Sequence, residues 1–318
     1  MTQVIVTVTP NPSLDRTLTV PRISFDEMVR ASGSRLDWGG KGFNVSRALQ
    51  ALGTGSVATG FLGGATGQML AHGLRDMGIA ADPLPIAGET RTNTIIAEAE
   101  TGRYIKVNEP GPTVYPEELS AFFRKVGARI QPGDLWILSG SLPPGLPPDF
   151  YAQLVSLVQT GGAKAFLDAS GEPLKLGCAA CPYLVKPNAT EAVELTGHPI
   201  QSEIDALGTA RFFLRLGVEV VALSLGAEGL LLAREQNAVW ARPPRVRAPN
   251  PVGAGDALLA GLAWALEQGL ALEEMARWGV AAGTAAAMGE GVSTGSLAAV
   301  RSLQEEVDIR NIEISANT

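Results

Sequence analysis

The feature that most constrains the fold is a regular alternation of helix and strand patterns that begins near residue 114. The predicted helices span 116–129, 148–159, 190–195 and 202–216, and the predicted strands span 135–139, 165–168, 183–185 and 219–224. Strands joined through helices pair in parallel, because each crossover has to carry the chain back to the start of the next strand. The alternation therefore predicts an α/β fold of three layers, with a mainly parallel sheet covered by helices on both faces.

The segments outside this alternation extend the pattern and add a second feature. Further strands are predicted over 4–8 and 56–61, helices over 41–52 and 68–77, a late hairpin over 230–233 and 239–241, and two closing helices, one after Gly255 and one over 272–288. Residues 14–31 and 90–108 differ, because short strands with exposed turns are predicted there, including a hairpin of 92–99 with 103–107. Ligands of parallel sheets bind beyond the carboxyl ends of the strands, so these segments are predicted to form a small β lid over that edge.

Composition supports one domain and argues against several classes of function. The chain has 318 residues, 46% of them hydrophobic, and no linker or repeat divides it, so residues 1–318 are predicted to form a single domain. A net charge of −7 without a long basic run argues against a nucleic-acid partner. The chain has no apolar stretch of about 18 residues and no signal-peptide pattern at its first residues, so we predict a cytoplasmic protein without a membrane partner.

Cysteine and histidine do not indicate a metal or nucleophile site. Cys178 and Cys181 form a lone C-x-x-C pair without a second pair or a nearby histidine, so reduced thiols are expected rather than a zinc site. His72 and His198 are isolated in the sequence, and we expect them at exposed positions or helix ends.

The first motif that carries chemistry is Gly253-Ala254-Gly255-Asp256, directly before an apolar run predicted to be a buried helix. The first amides of a helix have no intrahelical partner, and the helix dipole adds positive charge there. Glycines let these amides approach an anion such as a phosphate closely. Asp256 in such a cradle could accept the proton of a hydroxyl that attacks the phosphate. The alternative is a turn in which Asp256 only caps the helix.

The second motif is Gly39-Gly40-Lys41-Gly42-Phe43-Asn44, which also opens a predicted helix. It offers backbone amides, a cation and an amide side chain, a set that suits a polyhydroxy ligand with a phosphate. The alternative is a glycine-rich turn with a solvent-exposed lysine. The motif is not a P-loop, because the G-x-x-x-x-G-K-[ST] pattern is absent from the chain.

Three weaker motifs follow other predicted strands. Asp15 comes after the first strand, where a carboxylate suits sugar hydroxyls. Asn188 and Glu191 lie three residues apart at a helix start, where they could orient hydrated magnesium, or could form an ordinary N-cap and capping box. Ser224-Leu225-Gly226-Ala227-Glu228-Gly229 is a strand end followed by a glycine turn.

Together these motifs resemble the PfkB, or ribokinase-like, family of carbohydrate kinases, in the family's order and over nearly the whole chain. The resemblance is greatest to the phosphosugar branch, which contains 1-phosphofructokinase, tagatose-6-phosphate kinase and the PfkB-type 6-phosphofructokinase. The phrases that resemble this branch are Asn11-Pro12-Ser13-Leu14-Asp15, Thr90-Arg91-Thr92-Asn93 and Ser139-Gly140-Ser141-Leu142-Pro143-Pro144-Gly145. The implied fold is ribokinase-like, with a β lid that often forms the contact of a homodimer.

The resemblance also implies roles for individual residues. Asp256 is the general base, and the amides of Gly253, Ala254 and Gly255 form the anion hole. The residues implied to bind the sugar phosphate are Asp15, Gly39, Gly40, Lys41, Asn44, Arg91 and Ser141, with Lys41 and Arg91 on the existing phosphate. The residues implied to bind ATP are Lys186, Asn188, Glu191, Ser224, Gly226, Gly229, Val280 and Thr284, with Asn188 and Glu191 orienting Mg²⁺ through water. A monovalent cation is a further candidate cofactor.

One departure from the family pattern lies just before the anion hole. The family usually has Asp-Thr or Ser-Thr there, whereas this chain has Asn250-Pro251. Proline lacks both a hydroxyl and a backbone N–H. The departure bears on nucleotide affinity and on dependence upon a monovalent cation, while Asp256 and the glycines are unchanged.

The sequence thus predicts ATP-dependent phosphorylation of a ketohexose phosphate, with fructose 1-phosphate, fructose 6-phosphate and tagatose 6-phosphate as candidates. The Gly-Gly-Lys-Gly spelling favours the first and third, whereas residues 63–67 and 279–283 look more like the 6-phosphofructokinase. A second hypothesis is a kinase for an unphosphorylated sugar or nucleoside, although such an acceptor has no need of Lys41 and Arg91. A third is a non-catalytic phosphosugar-binding protein, which only Pro251 favours.

Overall fold

A computed structural model describes residues 3–248, 252–289 and 294–313 of the chain. Its strands are β1 Ile5–Thr9, β2 Ser13–Val20, β3 Gly33–Gly39, β4 Val57–Gly63, β5 Ala80–Ala81, β6 Leu84–Ile86, β7 Arg91–Glu98, β8 Tyr104–Val107, β9 Leu135–Ser139, β10 Lys164–Asp168, β11 Leu184–Val185, β12 Val220–Ser224, β13 Leu230–Arg234, β14 Asn237–Arg242 and β15 Asp308–Glu313. Its helices are α1 Lys41–Ala51, α2 Gly64–Asp76, α3 Pro116–Arg129, α4 Phe150–Thr160, α5 Gly171–Ala179, α6 Ala189–Thr196, α7 Glu203–Arg215, α8 Ala254–Glu267, α9 Leu272–Ala287 and α10 Leu297–Glu306.

The main sheet has the strand order β15-β14-β13-β12-β11-β10-β9-β1-β4-β5, and β6 also pairs with β4. Along this order, neighbouring strands pair in parallel from β12 through β11, β10, β9, β1 and β4 to β5. Strands β13, β14 and β15 add antiparallel pairs at one edge. The α/β prediction with a mainly parallel sheet is therefore confirmed, as is the late hairpin, which forms β13 and β14.

Helices cover both faces of this sheet, and β9 shows why. Successive side chains of a strand point to opposite faces. Leu135 and Ile137 pack in the core shared with α1, α8, α9 and α10, whereas Trp136 and Leu138 pack in the core shared with α3, α4 and α7. A strand buried on both faces needs a continuous apolar run, which is the pattern that made β9 predictable.

A second, smaller sheet has the order β3-β2-β7-β8. The hairpin predicted over 92–99 and 103–107 is confirmed as β7 and β8, which pair antiparallel. The first predicted segment, 14–31, was too short, because the partner of β2 is β3 and 21–32 contains no strand. The sequence signal of β3 is weak because most of its side chains are exposed or half-buried.

The structure differs from the predicted secondary structure in other places as well. The helix predicted over 68–77 begins earlier, at Gly64, because the Glu89 carboxylate accepts hydrogen bonds from the amides of Ala65 and Thr66. Helix α5 was missed, since two glycines and a proline among nine residues lower its helix propensity. The chain does not close with two helices, because α10 and β15 follow, and β15 is held by distant pairing to β14.

The structure also shows the state of the cysteines and histidines and the character of the helices. Cys178 and Cys181 are both free thiols, the first buried and the second exposed, and His72 and His198 are exposed. In the part of the chain that the structure describes, no helix has the length and apolar character needed to cross a membrane.

Candidate active site

Polar side chains collect at the carboxyl ends of the parallel strands, where a sheet of this kind binds its ligands. Thr9, Ser139 and Asp168 end β1, β9 and β10, and each carries a buried oxygen without a hydrogen-bond partner among the described residues. Asn44 of α1 has such an oxygen as well. Buried polar atoms are normally paired, so this edge has the character of a site for a polar ligand.

Asp256 lies in the first turn of α8 and contacts Asn44, one of these polar residues. Gly253 is the N-cap residue and has a left-handed φ of 82°, a conformation that favours glycine. The Asn44 amide Nδ2 donates a hydrogen bond of 2.8 Å to Asp256 Oδ2. Asp256 is only 7% exposed, and burial, followed by the charge of Asp168, raises its pKa to about 7. A carboxylate with this pKa is suited to take up a proton near neutral pH.

Two lysines meet one buried carboxylate beside Asp256. Lys41 Nζ is 3.0 Å and Lys186 Nζ is 3.3 Å from Asp168 Oδ1. Burial alone would raise the pKa of Asp168, but the two ammonium groups outweigh it and hold that pKa below its usual range. A Cβ at Gly255 would stand 3.5 Å from Lys186 Nζ, so this ammonium lies at the start of α8. The amides of the helix start and a cation therefore face the same space.

A third group of side chains lies between the small sheet and α1. Asp15 Oδ1 accepts hydrogen bonds from Ser13 Oγ at 2.7 Å and from Asn93 Nδ2 at 2.8 Å. A Cβ at Gly39 would stand 2.8 Å from the other oxygen, Asp15 Oδ2, so this position has no room for a side chain. Gly40 has a φ of 131° and turns the chain into α1. The carboxylate of Asp15 is thus held in one orientation, with Oδ2 against Gly39.

Arg91 is held separately, at the start of β7. Its NH1 donates to the Glu109 carbonyl and its NH2 to the Asn11 carbonyl, both at 2.9 Å, whereas its buried Nε has no partner among the described residues. Arg91 lines two cavities, of about 440 and 540 Å³, and the larger one also contains Ser141. A guanidinium fixed by main-chain carbonyls beside a cavity is suited to bind an anion.

The predicted nucleotide motifs lie at the ends of β11 and β12. Asn188 Oδ1 accepts from the Glu191 amide and Glu191 Oε2 accepts from the Asn188 amide, both at 2.9 Å, so these residues form the capping box that was the alternative interpretation. A bridge pairs Asn188 with Ser224, which brings the two motifs together. Within the described residues, no group of three or more His, Cys, Asp or Glu side chains could hold a metal ion.

The other nucleotide candidates differ in their surroundings. Gly226 begins a single 3-10 turn, and Gly229 faces β14, where a Cβ would clash with the Ala241 carbonyl. Val280 and Thr284 are buried on α9, and Thr284 Oγ1 donates to the Val280 carbonyl at 2.7 Å. Asn250 and Pro251 lie outside the described residues.

Sequence reasoning missed several residues of this region. Asp168 is the main one, although it ends a predicted strand and the rule for carboxyl strand ends could have found it. Asn11, Ser13 and Asn93 belong to phrases that carried the family resemblance, but only Asp15 and Arg91 in those phrases received a role. Their contacts with Asp15, Ser141 and each other place them in the same region.

Comparisons with known proteins identify relatives of this chain. The family model described as "pfkB family carbohydrate kinase" matches residues 9–299. The 1-phosphofructokinase of Xanthomonas campestris pv. campestris is 38% identical over 277 residues, covering 86% of this chain and 87% of that protein. The 1-phosphofructokinase of Bacillus subtilis is 34% identical over 308 residues, covering 97% and 100%.

Solved structures show the same similarity. Phosphofructokinase-2 from Escherichia coli in complex with potassium has a TM-score of 0.91 at 31% identity, covering 96% of this chain and 99% of that chain. The same protein in complex with fructose-6-phosphate has a TM-score of 0.89 at 30% identity, with the same coverage. Its inhibited form is described as tetrameric.

Proposed function

The chain belongs to the pfkB family of carbohydrate kinases, and we propose that it transfers a phosphoryl group from ATP to a ketohexose phosphate, giving the bisphosphate. Fructose 1-phosphate is the first candidate acceptor, because relatives at 38% and 34% identity are named 1-phosphofructokinase. The observation that carries the proposal is Asp256, a buried carboxylate with a pKa of about 7 at the start of α8, beside two lysines.

In the proposed reaction, the acceptor hydroxyl oxygen attacks the terminal phosphorus of ATP, and the bond to the leaving ADP oxygen breaks. Asp256 takes the hydroxyl proton, while Asn44 holds the carboxylate in place through its 2.8 Å hydrogen bond. The amides of Gly253, Ala254 and Gly255 stabilise the charge on the transferred group. Such preorganised donors are effective because they need no rearrangement as charge develops.

The sugar phosphate is proposed to bind between the small sheet and α1. Asp15, Gly39, Gly40 and Asn44 hold its hydroxyls, which the fixed orientation of Asp15 supports. Arg91 and Ser141, which line one cavity, bind the phosphate already present. Lys41 was predicted to bind that phosphate too, and its ammonium donates a hydrogen bond to Asp168.

ATP is proposed to bind across the ends of β11 and β12. The residues that would contact it are Lys186, Asn188, Glu191, Ser224, Gly226, Gly229, Val280 and Thr284. The capping box uses only one carboxylate oxygen of Glu191, so the other can hold a water of hydrated Mg²⁺. Bound Mg²⁺ would neutralise charge on the phosphates of ATP. A monovalent cation, as in the potassium complex of the E. coli protein, is a further candidate.

We also propose that the whole chain is one kinase domain, that the small sheet is its lid, and that the lid carries a homodimer contact. The support is a set of exposed apolar side chains, Phe25 and Met28 between β2 and β3 and Tyr104 and Val107 on β8, which a second copy would cover. Val107→Glu is expected to convert a dimer into monomers in sedimentation experiments. A wild-type protein that sediments as a monomer would contradict this contact.

The acceptor is tested by following ADP release from Mg-ATP with fructose 1-phosphate, fructose 6-phosphate, tagatose 6-phosphate and free fructose. We expect turnover with a phosphate ester, fructose 1-phosphate first. Turnover only with free fructose would favour the kinase for unphosphorylated sugars and remove the proposed role of Arg91. Binding of a sugar phosphate without ADP release would favour a non-catalytic binding protein.

A further inference from the structure

We propose that Asp168 is a positioning residue for phosphoryl transfer, which holds Lys41 and Lys186 side by side so that both ammonium groups contact the phosphoryl group in transit. This inference rests on the kinase function proposed above and goes beyond it, because it assigns Asp168 a role and moves Lys41 from the phosphate of the substrate to the transferred one.

The first support for a positioning role is the geometry of Asp168. Its carboxylate is at the carboxyl end of β10, is 1% exposed, and contacts both ammonium groups through the same oxygen, Oδ1. Oδ2 is buried without a hydrogen-bond partner in the described part of the chain. A buried carboxylate kept only for stability would be expected to have both oxygens satisfied, because unpaired buried charge is costly.

The two lysines come from opposite sides of the site. Lys41 begins α1, next to Gly40 and Asn44 on the sugar side, whereas Lys186 precedes Asn188 on the nucleotide side. Two ammonium groups so close together repel each other, and lysine stems are flexible, so a shared carboxylate is needed to hold them. Each ammonium has three donors, and those not used on Asp168 are available to a phosphoryl group.

The charged surroundings separate Lys41 from Arg91. Burial would lower the pKa of Lys41, but nearby carboxylates, Asp168 first, outweigh it and raise that pKa. The carboxylates that act on Arg91 are Asp15 and Glu109. Lys41 Nζ contacts Asp168, whereas the Arg91 guanidinium donates to the Glu109 and Asn11 carbonyls, so the two cations are held by different groups.

Asp168→Asn tests the proposal, because it keeps the shape of the side chain and removes its charge. We expect kcat to fall by about 10²-fold or more, as when one preorganised donor is lost, with the KM for the sugar phosphate within about threefold. Asp134→Asn is the matched control, since Asp134 is also buried but lies at the opposite end of the sheet, before β9, where it accepts from the Val4 and Gln131 amides.

The pH profile separates positioning from a merely structural role. The groups around Asp256 are Asp168 on β10, Lys41 and Asn44 on α1, and Lys186 after β11. Removing the negative charge of Asp168 lowers the pKa of Asp256, so the acid limb of kcat/KM should move to lower pH in D168N. Removing the positive charge in Lys41→Gln raises that pKa, so the limb should move to higher pH.

Lys41→Gln also carries the test if circular dichroism shows that D168N does not fold. We expect a loss of kcat with the KM for the sugar phosphate nearly unchanged. Where D168N folds, the double variant should lose less activity than the product of the single losses. A raised KM with unchanged kcat would place Lys41 on the phosphate of the substrate and overturn the proposal. D168N with kcat within about twofold of the wild type would overturn it as well. A wild type without turnover would instead contradict the kinase function.

Discussion

Replacing Asp256 with asparagine is expected to lower kcat by about 10²–10⁴, the loss typical when a positioned general base is removed. The substituted side chain has nearly the same shape and can still contact Asn44, so the KM for the sugar phosphate should change little. The loss arises because an amide cannot take up the proton that the acceptor hydroxyl gives off. Steady-state assays of ADP release with saturating ATP measure both constants.

The pH profile gives this prediction a second readout. Burial and the neighbouring Asp168 raise the pKa of Asp256 to about 7. A base acts only in its deprotonated form, so kcat/KM of the wild type should fall below about pH 7 and not, as for an ordinary aspartate, below about pH 4. This limb should be absent in D256N.

Glu267→Gln is the control for D256N. Glu267 ends the same helix, α8, and its carboxylate accepts a hydrogen bond from Thr54 Oγ1, far from the helix start. Glu267→Gln makes the same change from carboxylate to amide in the same helix, and kcat should stay unchanged. If D256N kept nearly normal turnover, another group would have to be the base.

Replacing Arg91 with alanine is expected to raise the KM for the sugar phosphate by about 10- to 100-fold, since charge-assisted hydrogen bonds contribute about 1.5–3 kcal/mol. The guanidinium is aligned by the carbonyls of Glu109 and Asn11, so its orientation toward the cavity is already fixed. The loss should fall mainly on KM, because this phosphate does not change during the reaction. Activity with free fructose, measured in the same assay, should be unaffected.

Two further variants separate binding from damage to the small sheet. Arg91→Lys keeps the charge but not the forked donors, and an intermediate KM is expected. Arg103→Ala removes an exposed arginine that pairs with Glu98 in the same sheet, and its KM should stay normal. A similar loss for free fructose and its phosphate in R91A would indicate that Arg91 supports the structure only.

Local patterns explain which parts of the fold could be predicted. The strand Leu135–Ser139 and the helix Pro116–Arg129 lie where the sequence placed them, since their apolar periodicity and a proline at the helix start are local signals. Strands β3 and β15 were missed because most of their side chains are exposed or half-buried, so alternation is weak and pairing with distant strands determines them.

In the candidate site, too, local sequence predicted some residues and left the role of others open. Glycine clusters at Gly39-Gly40 and Gly253-Ala254-Gly255 could be found from sequence, because close approach of a backbone requires glycine locally. The capping box of Asn188 and Glu191 could be found too, but its spacing alone did not separate a helix cap from a magnesium site.

By itself, the sequence determined the mainly parallel α/β architecture and the two glycine turns at the starts of α1 and α8, because periodicity and backbone freedom are properties of neighbouring residues. Only the tertiary structure decided which charges meet. Lys41 and Asp168 are 127 residues apart in the chain but share an ion pair, and Asn44 and Asp256, 212 residues apart, share a hydrogen bond. The pKa values of Lys41, Asp168 and Asp256 depend on burial and on neighbours that the folded sheet supplies, so no local pattern could predict that the pKa of Asp256 is raised to about 7 or that Asp168 joins the two lysines.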